Sequence, residues 1–78
     1  MRVSILFFGA TAHLVGARER VLETDETITS AVVEQIVNEN PPLRHHKLLF
    51  ALNQEYVAAD TPLKDGDEIA VFTAVSGG

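Results

Sequence analysis

Short apolar runs, separated by glycine or polar residues, make up much of the chain. The first run, Val3–Phe8, is β-branched and aromatic and is ended by Gly9, which predicts a strand covered on both faces or nearly so. The segment from position 10 to position 16 predicts a short turn of helix. Arg20–Thr24 has a less continuous apolar face and predicts an edge strand that pairs with the first.

One stretch has the periodicity of an amphipathic helix. Ile28, Val32 and Ile36 recur every fourth residue, which places their side chains on one stripe that can pack against a sheet. Thr29 is predicted to be the N-cap, and the residues on either side of it have the spacing of a hydrophobic staple. The Pro-Pro pair at 41–42 ends the helix because proline lacks the N–H donor. The polar residues Glu34, Gln35 and Asn38 are predicted to face water.

The second half of the chain contains three more strand patterns. Leu48–Leu52 predicts the third strand, followed by a short turn at 53–54 into Tyr56–Val57. The Asp-Gly pair at 65–66 predicts the turn before the last strand, Glu68–Phe72. Residues 43–47 are predicted to be a loop. Residues 73–78 lack periodicity and are predicted to be a flexible C-terminal tail after a single domain, residues 1–72.

The order of these elements indicates the fold class. One main helix among five strands cannot cover both faces of a sheet, so the pattern predicts an α+β fold in which a small mixed sheet packs on that helix. At 78 residues and 46% hydrophobic, the chain has material for one core. A domain of this size buries only roughly 60% of its unfolded surface, so a deep catalytic cavity is not expected.

The net charge limits which kinds of partner the chain can bind, and the absence of cysteine excludes sites that need a thiol. The net charge of −5 argues against nucleic acid, whose binding requires clustered cations, and predicts a basic surface on a protein partner. Without cysteine there is no disulfide, no zinc–thiolate site and no thiol nucleophile, which favours the cytoplasm. The longest uncharged run, Val3–Ala17, is shorter than the ~18 residues that span a bilayer.

Histidine, serine and carboxylate residues, which are common in metal and catalytic sites, are present, but their spacing does not fit such a site. Adjacent histidines in a loop point apart, and no third ligand lies at a helical spacing, so no metal site is predicted from His13, His45 and His46. Ser76 lies in the tail and lacks the strained turn of a hydrolase nucleophile. The carboxylates around the Asp-Gly turn lack the calcium-loop register and are predicted to form turns and aid solubility: Asp60, Asp65, Asp67 and Glu68.

Two features remain as candidate functional elements. Five aromatic residues lie on predicted strands, more than a small sheet is expected to bury: Phe7, Phe8, Phe50, Tyr56 and Phe72. Of these, Phe8, Tyr56 and Phe72 are the candidate interface anchors. The chain also ends in Gly77 and Gly78, and residues without Cβ let an extended backbone enter a narrow slot.

In that context the C-terminal half resembles a known family. The stretch LLFALNQEYVAADTPLKDGDEIAVFTAVSGG, residues 48–78, resembles the molybdopterin synthase small subunit family, of the sulfur-carrier type. The opening VSILFFGATAHLVG, residues 3–16, resembles the first strand and turn of the same family. The N-Q, P-L-x-D-G-D-E and terminal V-x-G-G elements are specific as an ordered set.

The resemblance implies a ubiquitin-like β-grasp fold and a sulfur-carrier role. It implies that Gly78 is adenylated at the expense of ATP by an adenylyltransferase resembling the ubiquitin-activating enzyme and then converted to a thiocarboxylate, with Gly77 keeping the approach unhindered. Sulfur would pass to cyclic pyranopterin monophosphate in the large synthase subunit, within a 2:2 heterotetramer. The catalytic groups would belong to that subunit, so this chain would bind no cofactor and act as a sulfur donor.

The resemblance also implies which residues contact the partner. Phe8 and Phe72 fall on apolar interface positions of the family, and Tyr56 replaces an aliphatic residue at a third. Val75 and Ser76, in the tail, are assigned to the same interface. Where many members have Pro-Pro after the last aromatic residue, this chain has Thr-Ala at 73–74, which predicts a more flexible tail.

Three alternatives stay open at this point. The same terminus would serve a carrier for thiamine thiazole or for tRNA thiolation, which differ only in the sulfur acceptor. A protein modifier would form an isopeptide bond with lysine. A simple β-grasp binding module would have an idle tail, and removal of Gly78 would leave its function intact.

Overall fold

The apolar runs form five strands, two α-helices and one 3₁₀ helix within the part of the chain that the structure describes. The structure is a computed structural model and describes residues 1–74. The elements in chain order are β1 (Arg2–Phe7), α1 (Ala10–Val15), β2 (Glu19–Glu23), α2 (Thr29–Glu39), the 3₁₀ helix Pro41–His45, β3 (Leu48–Leu52), β4 (Glu55–Tyr56) and β5 (Glu68–Thr73).

The strands form one mixed sheet in the order β2-β1-β5-β3-β4. β1 pairs with β5 in parallel, and the other neighbours are antiparallel. A parallel pair needs a long crossover connection, and α2 lies within the one between β1 and β5. Because β1 and β5 are parallel, both end at the same end of the sheet, which we call the exit end because the chain leaves β5 there.

The core lies between α2 and one face of the sheet. In β1 the side chains of Val3, Ile5 and Phe7 are buried, whereas Ser4 and Leu6 are only half-buried. The prediction that this strand is covered on both faces is therefore wrong, because α2 covers one face only. The buried apolar cluster consists of Val3, Ile5, Phe7, Leu22, Val32, Val33, Ile36, Val37, Leu43, Leu52, Leu63, Ile69 and Val71.

The start of α2 differs from the prediction. Ile28 is the N-cap, and Thr29 is the first helical residue, so the predicted Thr29 cap and the staple built on it are wrong. The Thr29 hydroxyl donates instead to the carbonyl of Thr61, at 2.9 Å. The Thr29 and Ser30 N–H groups donate to the carbonyls of Thr61 and Ala59, at 3.0 and 2.9 Å. Backbone carbonyls from a distant segment thus satisfy the free amides that a local side chain was expected to cap.

Two other predictions, one for a polar helix residue and one for a loop, also differ from the structure. Gln35 was predicted to face water, but it is half-buried and its side-chain oxygen accepts a hydrogen bond from the Thr24 hydroxyl, at 2.8 Å. The predicted loop, residues 43–47, overlaps the 3₁₀ helix Pro41–His45, which carries the fully buried Leu43 into the core. Among residues 1–74, no helix combines the length and the apolar character needed to cross a bilayer.

Candidate functional site

The end of β5 determines where the C-terminal residues leave the sheet. β5 includes Thr73, which pairs with Leu48, and the Ala74 N–H donates to the carbonyl of Lys47, at 2.9 Å. The prediction of a flexible tail from position 73 is therefore wrong for Thr73 and Ala74, because both still pair with the chain beside them. A proline at position 74 could not donate this hydrogen bond. The predicted site residues Val75, Ser76, Gly77 and Gly78 lie outside the described residues, and their roles stay predictions.

A buried hydroxyl joins the three backbone segments at the exit end. The Thr11 side chain is fully buried, and its Oγ1 lies 2.7 Å from the Phe8 carbonyl oxygen and 2.9 Å from that of Val71. The Phe8 N–H also donates to the Val71 carbonyl, at 3.0 Å. These contacts hold the start of α1 against the ends of β1 and β5. The sequence analysis missed Thr11, because a lone threonine in a short helix carries no signal of a partner at position 71.

The three predicted anchors lie on the sheet face opposite α2. Tyr56 pairs with Ala51, which pairs with Ala70, so these three side chains share a face. Phe72 lies two residues after Ala70 in the same strand. Phe8 lies two residues after Leu6, which pairs with Ala70 from the other side. The structure therefore brings together the aromatic residues singled out from the sequence.

These anchors differ in exposure. The exposed fractions are 77% for Tyr56 and 52% for Phe8, while Phe72 is half-buried. The Tyr56 and Phe72 rings meet edge to face, with centroids 6.0 Å apart and an interplanar angle of 69°. Of the other two aromatic residues, Phe7 is buried and Phe50 is half-buried against the core. Phe8, just past β1, and Tyr56 are thus the aromatic side chains most open to a partner.

Aliphatic side chains extend this aromatic cluster into an apolar surface. We call it the open face and define it as Leu6, Phe8, Val21, Leu49, Tyr56, Ala70 and Phe72. Val21 is 54% exposed, and the other aliphatic members are half-buried. Contiguous exposed apolar patches of this kind mark interaction sites. The sequence analysis did not single out Val21 or Leu49, whose orientation depends on strand register.

A groove continues the open face at the exit end. It encloses about 750 Å³ and runs between the end of β1, α1 and the start of β2. Leu6 and Phe8 supply its apolar wall, and His13 and Arg18 also line it. The groove is open to solvent. Such a shape suits an inserted side chain of a partner protein.

The polar residues considered for chemistry have structural roles or face solvent. Asp67 Oδ2 accepts the Lys64 N–H within the turn before β5, as predicted for a turn-forming carboxylate, whereas Asp65 Oδ1 accepts the Arg2 N–H at the start of β1, both at 2.7 Å. His13, His45 and His46 are exposed. Within residues 1–74, no three His, Cys, Asp or Glu side chains are grouped so that they could hold a metal ion.

Comparison with known proteins identifies the family. The ThiS family profile matches residues 5–78, which includes the terminal Gly-Gly pair. The chain belongs to the ThiS family. It is 36% identical over 83 aligned positions to the molybdopterin synthase sulfur carrier subunit of Chlamydomonas reinhardtii, with 100% of both chains covered.

Solved structures of this family share the fold. A Pyrococcus furiosus protein named for subunit 1 of molybdopterin converting factor superposes with a TM-score of 0.88 at 26% identity, covering 96% of this chain and 99% of its own. A Helicobacter pylori complex of subunits 1 and 2 of molybdopterin-converting factor gives 0.71 at 27% identity, with full coverage of both chains. The ubiquitin-like β-grasp fold and the predicted family resemblance are thus confirmed.

Proposed function

We propose that this ThiS family member is the sulfur-carrier small subunit of molybdopterin synthase and acts in molybdenum cofactor biosynthesis. A carboxylate oxygen of Gly78 attacks the α-phosphorus of ATP in an activating partner, and pyrophosphate leaves. A sulfide-level sulfur nucleophile then displaces AMP from the acyl adenylate, which leaves a thiocarboxylate on Gly78. The thiocarboxylate sulfur bonds to a carbon of cyclic pyranopterin monophosphate in the large subunit. Water then attacks the Gly78 carbonyl carbon, breaks its bond to sulfur and restores the carboxylate, which can be activated again.

The observation that carries this proposal is the full-length match to sulfur carrier subunits, which continues through the last glycine. The geometry supports it, because Ala74 is the last residue that the described hydrogen bonds join to the sheet. Four residues at about 3.5 Å each can reach at most about 14 Å beyond Ala74. That length is enough for Gly78 to react inside a partner while the body of the domain stays outside.

The proposed partners follow from the same arrangement. The large synthase subunit covers the open face, with Phe8, Tyr56 and Phe72 as anchors and Val75 and Ser76 along the entering tail. The Helicobacter pylori complex of subunits 1 and 2 supports a large-subunit partner. A 2:2 heterotetramer, a ubiquitin-activating-enzyme-like adenylyltransferase that uses ATP, and a cytoplasmic location complete the proposal. This chain binds no cofactor itself, and the groups that act on the pterin belong to the large subunit.

The direct test is the conversion of the C-terminus. The intact chain is incubated with its adenylyltransferase, ATP and a sulfur donor, and its mass is measured. We expect a gain equal to the replacement of one oxygen by sulfur, located on Gly78 by fragmentation. Deletion of Gly78 should abolish the gain without changing the circular dichroism spectrum, whereas Lys64→Gln, an exposed change at the opposite end of the sheet, should retain it. An unmodified mass with active partner enzymes would contradict the proposal.

A second measurement separates the proposal from its alternatives. The thiocarboxylated chain is mixed with the large subunit and cyclic pyranopterin monophosphate, and molybdopterin is measured. We expect formation of molybdopterin with return of the chain to its original mass. Sulfur transfer only to a thiazole precursor or to tRNA would assign another acceptor, and lysine-linked conjugates that survive denaturation would assign a protein modifier.

A further inference from the structure

The charged side chains are distributed unevenly over the domain. Three of its cations form ion pairs: Arg2 with Glu23 at 2.7 Å, Arg20 with Glu39 at 2.9 Å, and Arg44 with Glu34 at 3.7 Å. Within residues 1–74, the other three cations lie in no ion pair: Arg18, Lys47 and Lys64. All three are exposed, so their charges are free to attract an anionic surface.

Arg18 and Lys47 lie on opposite sides of the point where the chain leaves the sheet. The Arg18 carbonyl accepts the Phe7 N–H at 2.9 Å, which places its backbone beside the end of β1. The Lys47 carbonyl accepts the Ala74 N–H at 2.9 Å, which places its backbone beside the end of β5. Arg18 precedes β2 and Lys47 precedes β3, and three strand spacings of about 4.8 Å separate these strands, so their backbones lie about 15 Å apart.

The opposite end of the sheet carries most of the negative charge. The start of β1, the end of β2 and the turn before β5 meet there, and their carboxylates are Glu23, Asp25, Glu26, Asp65, Asp67 and Glu68. Arg2, at this end, is bound by Glu23, and this hydrogen bond raises the pKa of the guanidinium. Lys64 is the unpaired cation here. At the exit end, by contrast, Glu19 lies beside Arg18 and Glu39 is paired with Arg20, so the net charge of −5 does not describe that surface.

We propose that Arg18 and Lys47 form a cationic rim that directs the exit end onto an acidic surface of the protein that receives the tail. This proposal rests on the proposed function, because it concerns docking on the large synthase subunit. It reverses, for this end of the domain, the basic partner surface predicted from the net charge. The carboxylates of the partner lie on both sides of the slot that admits the tail, and the attraction aligns the tail with the slot before the open face makes contact.

The spacing and surroundings favour a protein surface over a small anion. Arg18 and Lys47 lie on separate segments with backbones about 15 Å apart, so the two cations are spread over the exit end and not clustered on one segment. Between them lie the groove beside Phe8 and the open face, so the arrangement has an apolar centre and a charged rim. That is the composition of a protein–protein interface.

The test compares the removal of one positive charge at each end. Arg18→Gln, Lys47→Gln and the matched control Lys64→Gln remove the same charge from exposed, unpaired positions. Association of each full-length chain with the large subunit is followed by stopped-flow fluorescence at increasing salt. We expect Arg18→Gln and Lys47→Gln each to lower the association rate constant about two- to fivefold at low salt and to flatten its salt dependence. Lys64→Gln should match the unmodified chain, and Lys47→Arg should restore its rate.

Several results would overturn the proposal. Equal rate constants for all three Gln variants and the unmodified chain would show that the rim has no role. Equal decreases in all three would show that only net charge matters, and faster association of Arg18→Gln or Lys47→Gln would show that the receiving surface is basic. In each of these cases binding persists and the proposed function stands. Absence of binding by the unmodified chain would instead refute the proposed partner and the rim together.

Discussion

Replacement of Phe72 by alanine tests whether the open face is the docking surface. Phe72 is half-buried, lies two residues before Ala74 and meets the Tyr56 ring edge to face at 6.0 Å. Phe72→Ala removes the whole ring while leaving the pairing of β5 with β3, which is made by the backbone. The substitution therefore probes one side chain at the point where the open face reaches the exit end.

The structure allows separate expectations for stability and for binding. Full burial of a phenylalanine side chain contributes about 1.5–3 kcal/mol, so a half-buried ring contributes about 1 kcal/mol to folding. The edge-to-face pair adds about 0.5–1.5 kcal/mol. We therefore expect the free energy of unfolding to fall by about 1.5–2.5 kcal/mol. Docking would bury the remaining half in the centre of an interface, where loss of an aromatic anchor costs about 2 kcal/mol or more and raises Kd about 30-fold.

The assay is titration calorimetry with the large subunit at a temperature where the variant is fully folded. Urea unfolding of the free chain gives the stability change separately. Val57→Ala is the matched control, because Val57 is also apolar and half-buried but packs against the core and is not part of the open face. Its Kd should change by less than about threefold. An unaltered Kd for Phe72→Ala would remove Phe72 from the interface and refute the assignment of the open face to the large subunit.

Three further substitutions test the frame that supports the site. Thr11→Val keeps the shape of the side chain but removes the buried donor to Val71, so the free energy of unfolding in urea should fall by about 1–3 kcal/mol, and a loss no larger than that of Thr11→Ser would contradict the role of the hydroxyl. Ile36→Ala, at a fully buried position of α2, should cost about 2–5 kcal/mol by the same measurement, and a cost under about 1 kcal/mol would mean that α2 does not form the core. Tyr56→Ala combined with Phe72→Ala in a double-mutant cycle should give a coupling of about 0.5–1.5 kcal/mol, whereas additive losses would show that the two rings do not interact in solution.

The elements that the sequence predicted correctly are those with strong local signals. Leu48–Leu52 is a strand as predicted. The predicted ends of the other main strands lie within one residue of the observed ends. The periodicity of Val32 and Ile36 identified the buried stripe of α2. Two residues with positive φ, Asn53 and Gln54, form the predicted short turn between β3 and β4. Hydrophobic periodicity and the preferences of turn residues are properties of a few neighbouring residues, so they can be recognised before the fold is known.

The features that the sequence did not predict depend on contacts between distant segments. Thr29 has the chemistry of an N-cap, but the backbone of Thr61 satisfies the amide that begins the helix. The continuous apolar run of β1 suggested burial on both faces, but only one main helix was available to cover the sheet. Pro41 ended the helix as predicted, yet the residues after it form a 3₁₀ helix that buries Leu43.

For the candidate site, residue types and their order along the chain indicate the proposed chemistry, whereas the fold sets the surface around it. The terminal Gly-Gly pair and the motifs before it indicate the chain end as the proposed site of activation, because these signals depend on residue type and order along the chain. The common face of Phe8, Tyr56 and Phe72, the Thr11 contacts and the positions of Arg18 and Lys47 depend on the parallel pairing of β1 with β5 and on the strand order. Residues 60 or more positions apart are joined in this way, as Thr11 and Val71 are. Local patterns carry no information about which distant segments meet, since that is decided by burying the core between α2 and one face of the sheet.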